Sequence, residues 1–98
     1  MFEAEICEDG TAKLSGRLDA AQAEKAQEFM DTLEGPTRVD ISGLEYISSA
    51  GLGVLLKTQK RLMPAGGGLT LTNVSSHIHD IFKYSGFDQI FQIEAAAD

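Results

Sequence analysis

The chain has 98 residues, 43% of them hydrophobic and 23% charged, as in an ordinary soluble globular protein. Its formal net charge of −7 argues against nucleic-acid binding, which needs Lys and Arg to neutralise phosphates, and is more compatible with a basic protein partner. No apolar run approaches the roughly 20 residues of a membrane span, and the acidic N-terminus does not resemble a signal peptide. We therefore expect one cytoplasmic domain over residues 1–98, without direct membrane insertion.

The N-terminal residues predict a β-hairpin. Apolar and polar side chains alternate over residues 2–7, which is the period of a strand with one solvated face. Asp9-Gly10 is a hairpin turn signal, and the alternation resumes at Ala12 and Leu14. The two strands should pair antiparallel, and we expect Gly16 to end the second.

A helix and a central strand are expected next. Asp19 and Gln22 have the spacing of a helix capping box, and Gly35-Pro36 is a helix stop signal. Residues Thr37–Ile41 are β-rich and short, which is typical of a buried central strand.

The second half of the chain predicts two further helix–strand units. A helix over Ala50–Met63 leads to a strand over Leu69–Asn73, and a helix capped by Ser75 leads to a strand over Ile90–Ile93. A frayed tail over Glu94–Asp98 completes the chain. The order ββαβαβαβ predicts a small α/β domain, with helices packed against a mixed, mostly parallel sheet.

The stretch Val39–Leu56 carries the strongest functional signal. It reads as a buried strand, a short crossing loop, the pair Ser48-Ser49 and the start of a helix. A serine at a helix N-terminus can cap free backbone N–H groups, and the helix dipole favours negative charge there. A phosphate would be tolerated at this position, as a reversible serine switch requires.

This stretch resembles the signature of the STAS domain, the family of bacterial anti-sigma factor antagonists. In that family a strand ending in Asp or Asn leads to a loop with a bulky apolar pair, then to Asp-Ser-[Ser/Ala]-Gly-[Leu/Ile] and a helix. The usual Asp before the switch serine is replaced here by Ser48. The matching positions are Asp40, Ser42, Leu44, Tyr46, Ile47, Ser49, Ala50, Gly51, Leu52 and Leu55, with further similarity at Gly16-Arg17-Leu18-Asp19, Phe82 and Ser85-Gly86-Phe87.

The resemblance implies a STAS-like fold and a phosphorylation-controlled binding module in a partner-switching pathway of transcription regulation. The unphosphorylated form would bind an anti-sigma factor with serine kinase activity and so free a sigma factor. Phosphorylation of Ser49, which stands two residues before Gly51, would release that partner, and a phosphatase would reset the switch. ATP would belong to the kinase, so we expect no cofactor.

The expected partner surface combines two loops. Loops at the carboxyl ends of parallel neighbouring strands gather on one edge of a sheet. The Asp19 junction and the first turns of the following helix should therefore meet. The residues expected to bind the partner are Asp19, Ser48, Ser49, Gly51, Gly53 and Lys57.

Other interpretations of the same residues remain open. Asp19 and Ser49 can each be simple helix caps. The chain can also be a non-switching STAS accessory subunit of a membrane transporter complex, because Ser48 in place of the acid can weaken kinase recognition.

An enzyme is disfavoured. A nucleophile elbow needs glycine where Ile47 stands. His77 and His79 would point about 200° apart on a helix and cannot share a metal. Cys7 is the only cysteine, which excludes an internal disulfide and a cysteine metal cluster.

Overall fold

A five-stranded sheet with three α-helices forms the protein in the computed structural model, which describes residues 1–96. Strands β1 to β5 span Phe2–Ile6, Ala12–Leu18, Thr37–Ile47, Leu69–Val74 and Gln92–Ala95. Helices α1 to α3 span Ala23–Met30, Ser49–Leu62 and Ser76–Ser85. This arrangement confirms the predicted α/β class and the order ββαβαβαβ.

The strands lie in the sheet in the same order as in the sequence. β1 pairs antiparallel with β2, and the three remaining pairs are parallel. Right-handed crossovers between consecutive neighbouring strands place all the helices on one side of the sheet. We call the opposite side the open face; its strand residues include Glu3, Glu5, Lys13, Arg17, Arg38 and Asp40.

The core fills the space between the helices and the covered side of the sheet. Alternate strand residues such as Leu14, Val39 and Leu71 meet helix residues such as Leu55 and Phe82, and all are at most 1% exposed. Burying each of these large apolar side chains stabilises the fold by about 1.5–3 kcal/mol relative to leaving it in water. This covered side fixes the register of every strand.

A buried amide joins α2 to the strand that follows it. The Oε1 atom of Gln59 accepts a hydrogen bond from the Leu69 N–H at 2.6 Å, and its Nε2 atom donates to the Ile90 carbonyl at 3.0 Å. Gln59 is only 5% exposed and the bond to Leu69 is buried, so this bond satisfies a backbone N–H that water does not reach.

Two strands run further than the sequence predicts. β2 does not end at Gly16 but continues to Leu18. Gly16 adopts φ +89°, and a Cβ atom there would overlap the Met1 carbonyl oxygen. The glycine therefore allows the start of β1 to approach closely instead of ending β2.

The predicted crossing loop after Ile41 is wrong, because β3 continues to Ile47. Ser42-Gly43 looks like a turn locally, but Gly43 pairs with Ser15 of β2, and the pairing runs on to Ile47 and Leu18. Long-range hydrogen bonding therefore overrides the local signal.

The bounds of the helices and of the last strand also differ from those that the sequence predicts. A short 3₁₀ turn over Ala20–Gln22 precedes α1, and β5 begins at Gln92. The first two residues of the predicted frayed tail, Glu94 and Ala95, are therefore strand, and its last two residues, 97 and 98, lie outside the described residues. Ser75 caps α3 as predicted, by accepting a hydrogen bond from the Ile78 N–H.

Candidate functional site

The serine pair lies where the carboxyl ends of β2 and β3 meet. The last residues of the two strands pair, Leu18 with Ile47, and the Ser48 N–H then donates to the Leu18 carbonyl at 2.9 Å. The strands thus bring Leu18, Asp19, Ser48 and Ser49 together. We call this group the serine end of the sheet.

Asp19 caps the short 3₁₀ turn before α1. Its Oδ1 atom accepts a hydrogen bond from the Gln22 N–H at 3.2 Å, at the capping spacing read from the sequence. The side chain is half-buried, so part of it remains accessible beside the serine pair. Capping and partner contact are compatible roles for this residue.

The N-cap of α2 is Ser48. Its backbone is extended, and its Oγ atom accepts a hydrogen bond from the Gly51 N–H at 3.2 Å. The alternative in which Ser49 is the helix cap is therefore wrong. The bond between the Ser48 N–H and Leu18 holds Ser48 outside the helix, so α2 begins at Ser49.

Ser49 is the first residue of α2, and its side chain is exposed. Its hydroxyl makes no hydrogen bond to the rest of residues 1–96. The first backbone N–H groups of a helix lack intrahelical acceptors, and the positive end of the helix dipole lies beside them. Ser49 therefore combines an accessible nucleophilic hydroxyl with surroundings that tolerate an added anion.

Gly51 and Gly53 have opposite environments, although both belong to the start of α2. Gly51 is buried, and an added Cβ atom would lie 2.7 Å from the Leu18 Cγ and 2.9 Å from the Ile47 Cγ1. Gly53 is half-exposed, and an added Cβ atom would meet nothing within 4 Å. Gly51 thus packs against the ends of β2 and β3 beneath the start of α2, whereas Gly53 faces open space.

Gly53 and Lys57 lie one turn apart on α2 and line a groove between α1 and α2. Lys57 is exposed, and the groove surface is mainly apolar. Ala50, the residue after Ser49, lines the groove, which therefore extends from the serine end along the helices. Its other lining residues are Ala23, Glu24, Gln27, Ala50 and Val54.

Arg17 and Tyr46 form a stacked pair that sequence reasoning missed. The Arg17 Cζ atom lies 4.5 Å from the centre of the Tyr46 ring, and the two residues are register partners. Leu18 and Ile47, the next residues, face the core, so the stacked pair lies on the open face. Only the register of β2 on β3 reveals this contact.

Asp40 and Ser42 lie apart from the serine end, in the middle of β3. Burial alone would raise the pKa of Asp40, but hydrogen bonds from Ser42 and Asn73, with nearby Lys13, bring it below its ordinary value of 3.8. The carboxylate accepts the Ser42 N–H at 2.8 Å. Asp40 therefore stabilises the strand locally and does not contact the serine pair.

The other chemical groups considered lie elsewhere. His77 and His79 belong to the first turn of α3, and Cys7 follows β1. Among residues 1–96, no three His, Cys, Asp or Glu side chains form a group suited to a metal ion. Within the same residues, none of the helices has the length and apolar character to cross a membrane.

Comparison with known proteins identifies the family. The family model described as "Mlab, STAS domain" matches residues 5–93. The chain belongs to the STAS domain family. The fold, with its mixed sheet and the serine pair at the start of α2, is thus a STAS fold.

Several similar proteins are named as anti-sigma factor antagonists. BtrV of Bordetella bronchiseptica, described as a candidate anti-sigma factor antagonist, is 39% identical over 94 residues, covering 88% of this STAS domain and 81% of BtrV. The anti-sigma-B factor antagonist of Bacillus subtilis is 28% identical, covering 92% and 85%. A crystal structure of an anti-sigma factor antagonist from Mycobacterium paratuberculosis superposes with a TM-score of 0.83 at 19% identity, covering 96% and 86%.

Proposed function

We propose that this STAS domain is an anti-sigma factor antagonist that switches partners through phosphorylation of Ser49. The unphosphorylated form binds an anti-sigma factor with serine kinase activity and frees a sigma factor, and a phosphatase restores the binding form. The names of the curated relatives support the class. The observation that supports the switch is the Ser49 hydroxyl at the first position of α2. It is exposed and makes no hydrogen bond within residues 1–96.

Ser49 is a better phosphate acceptor than Ser48. The Ser48 side chain is half-buried, its Oγ atom accepts the Gly51 N–H, and its own N–H is bonded to Leu18. A kinase would have to break the cap of α2 to reach Ser48. The Ser49 hydroxyl requires no such rearrangement, so transfer to Ser49 leaves the helix start intact.

Phosphorylation of Ser49 should leave the fold unchanged. The phosphate adds roughly −1.5 to −2 charge at neutral pH, and the N-terminus of α2 favours a nearby anion by about 0.3–1 kcal/mol. A partner packed over Ser49 would instead have to bury a dianion, at a cost of several kcal/mol unless a cation meets it. The switch therefore acts by exclusion and repulsion at the interface.

The proposed partner surface comprises Asp19, the serine pair and the exposed side of α2 at Gly53 and Lys57. Gly51 contributes from beneath this surface by holding α2 against β2.

Gly53→Glu should weaken partner binding, because it places a charged side chain in the open groove. Gly53→Ala is the matched control, since it adds only a methyl group into open space. Unchanged affinity of Gly53→Glu for a confirmed partner would remove this helix from the interface.

The phosphorylation switch is tested with variants of the two serines. Ser49→Ala should bind the anti-sigma factor in the presence of ATP without being released. Ser49→Asp should bind weakly, although one carboxylate mimics a phosphate imperfectly. Ser48→Ala is the control, and it should still be released when ATP is added. Release of Ser49→Ala by ATP would contradict the assignment.

One observation favours a second candidate function. Ser48 stands where the family usually has Asp, so a kinase that recognises the acid would find a neutral residue. The alternative is a non-switching accessory subunit of a membrane transporter complex. A pull-down from native cytosol, with and without phosphatase treatment, separates the two. Phosphatase-dependent capture of a kinase-fold protein supports the switch, whereas phosphatase-independent capture of a transporter ATPase supports the alternative.

We further propose that residues 1–98 form one cytoplasmic domain without catalytic activity, cofactor or nucleic-acid partner. The net charge of −7 and the uncoupled histidines support this view. Purified protein should turn over no ATP. Saturable ATP hydrolysis that a point mutation in this chain abolishes would refute the proposal.

A further inference from the structure

The stacked pair of Arg17 and Tyr46 depends on an irregularity in the sheet. Gly16 pairs with Leu44, but Arg17 pairs with Tyr46, so Glu45 is an extra residue in β3. Without this bulge, the regular register would place Arg17 opposite Glu45. Bulges of this kind often re-aim a side chain beside a functional site.

Arg17 is held in place without using the hydrogen-bond donors of its guanidinium. Its backbone N–H donates to the Met1 carbonyl at 3.0 Å, and its guanidinium stacks on the Tyr46 ring. The guanidinium is exposed and makes no hydrogen bond or ion pair with residues 1–96. In contrast, the guanidinium of Arg38 pairs with Glu94, and that of Arg61 donates to two backbone carbonyls.

A stacked guanidinium is suited to binding a carboxylate. Stacking orients the planar group and leaves the N–H donors along its edge available for a two-pronged bond to an oxyanion. Because the orientation is set beforehand, less side-chain freedom is lost when the bond forms. Tyr46 thus acts as a positioning residue for the Arg17 donors.

The pair lies beside the proposed partner surface. Arg17 precedes Asp19 by two residues, and Tyr46 precedes Ser48 by two residues. Two residues of a strand span about 7 Å. A partner that covers the serine end and extends over this edge of the sheet onto the open face would meet the Arg17 guanidinium there.

We propose that Arg17, oriented by Tyr46, is a specificity-determining cation that receives a carboxylate of the anti-sigma factor. The inference rests on the proposed function and names one chemical feature of its partner. On a chain of net charge −7, most surface contacts would favour a basic partner. The oriented Arg17 beside the switch serine instead favours a partner that has an acidic residue opposite it. A partner with a basic residue at that position would be repelled.

The test compares two cations on the same strand and the same face. Arg17→Gln and Lys13→Gln each remove one positive charge, and Lys13 lies four residues, about 13 Å, further from the serine end. The purified anti-sigma factor kinase of the same organism is titrated against each variant by calorimetry. Arg17→Gln should weaken binding about tenfold or more, and Lys13→Gln should change it by less than about threefold.

Tyr46 variants test the positioning role. Tyr46→Phe keeps the ring and should bind like the unmodified protein, whereas Tyr46→Leu should lose part of the affinity that Arg17→Gln loses. Adding Arg17→Gln to Tyr46→Leu should then have a smaller effect than Arg17→Gln alone. Thermal unfolding of each variant, measured in parallel, shows whether the fold is kept.

The outcomes separate this inference from the proposed function. If Arg17→Gln binds normally while Gly53→Glu binds weakly, the partner surface is correct and the role of Arg17 is refuted. If Arg17→Gln and Lys13→Gln weaken binding equally, only overall charge matters, and the inference also fails. If no binding to the anti-sigma factor occurs with the unmodified protein, the proposed function itself fails.

Discussion

Replacing Gly51 and Gly53 by alanine should have opposite effects on stability, although both glycines belong to the start of α2. At Gly51 an added Cβ atom would lie 2.7 Å from both the carbonyl oxygen and the Cγ atom of Leu18. Ordinary van der Waals contacts of a Cβ atom begin near 3.4 Å. Leu18 is fully buried and cannot move aside freely, so α2 must shift outward.

The expected magnitudes follow from these contacts. Overpacking of a buried site costs about 1–3 kcal/mol, and the gain from replacing a helical glycine is at most about 1 kcal/mol. Gly51→Ala should therefore lower the free energy of unfolding by about 1–2 kcal/mol. Gly53→Ala, with nothing within 4 Å of the new methyl group, should raise it by about 0.5–1 kcal/mol.

Urea denaturation followed by circular dichroism measures both changes. A difference of about 2 kcal/mol between the variants corresponds to roughly 8–16 °C in melting temperature for a domain of this size. Partner affinity should fall for Gly51→Ala, because the shift of α2 moves Ser49 relative to Asp19. Equal or greater stability of Gly51→Ala would show that the first turn of α2 does not pack on Leu18.

Three further outcomes follow from single contacts. Ser48→Ala should lower the free energy of unfolding by about 1 kcal/mol, whereas Ser48→Asp should not; equal loss in both would contradict the capping role. Gln59→Leu should destabilise by roughly 1–3 kcal/mol, because it leaves the buried Leu69 N–H unpaired, and it should speed hydrogen exchange at the Leu69 amide. The folded-state pKa of Asp40 is lowered, so its stabilising contribution is present above its ordinary value of 3.8 and is lost as pH falls through the folded pKa. In Asp40→Asn the free energy of unfolding should therefore fall less steeply with pH below about pH 4. The same pH dependence in the variant and the unmodified protein would refute this role.

The order of the elements could be predicted because its signals are local. Alternating side chains and Asp9-Gly10 predict the hairpin, which the structure confirms. The same holds for the cap of α3 at Ser75 and for the capping role of Asp19. In each case a turn or a cap involves residues close together in the sequence.

The length of β3 could not be predicted, because it depends on a distant strand. Ser42-Gly43 has the composition of a turn, yet Gly43 pairs with Ser15 and remains extended. Gly16 misleads for the same reason, since its positive φ serves the approach of the Met1 carbonyl. A glycine signals a special backbone position but does not say which neighbour requires it.

Within the candidate site, the sequence motif located the serine pair but did not show which of the two serines caps α2. Ser48 and Ser49 are equally good caps by residue type, and the bond from the Ser48 N–H to Leu18 decides between them. The contact of Arg17 with Tyr46 depends on a one-residue bulge that no local pattern indicates. These features arise where two strand ends meet, so they require the assembled sheet.

The central claim, that Ser49 controls partner binding, is tested most directly by locating the phosphate. The purified chain is incubated with its anti-sigma factor kinase and ATP, and the product is digested and sequenced by mass spectrometry. We predict one phosphate, on Ser49, and loss of binding to the kinase by the modified protein. Phosphate on Ser48, or none on either serine, would contradict this account.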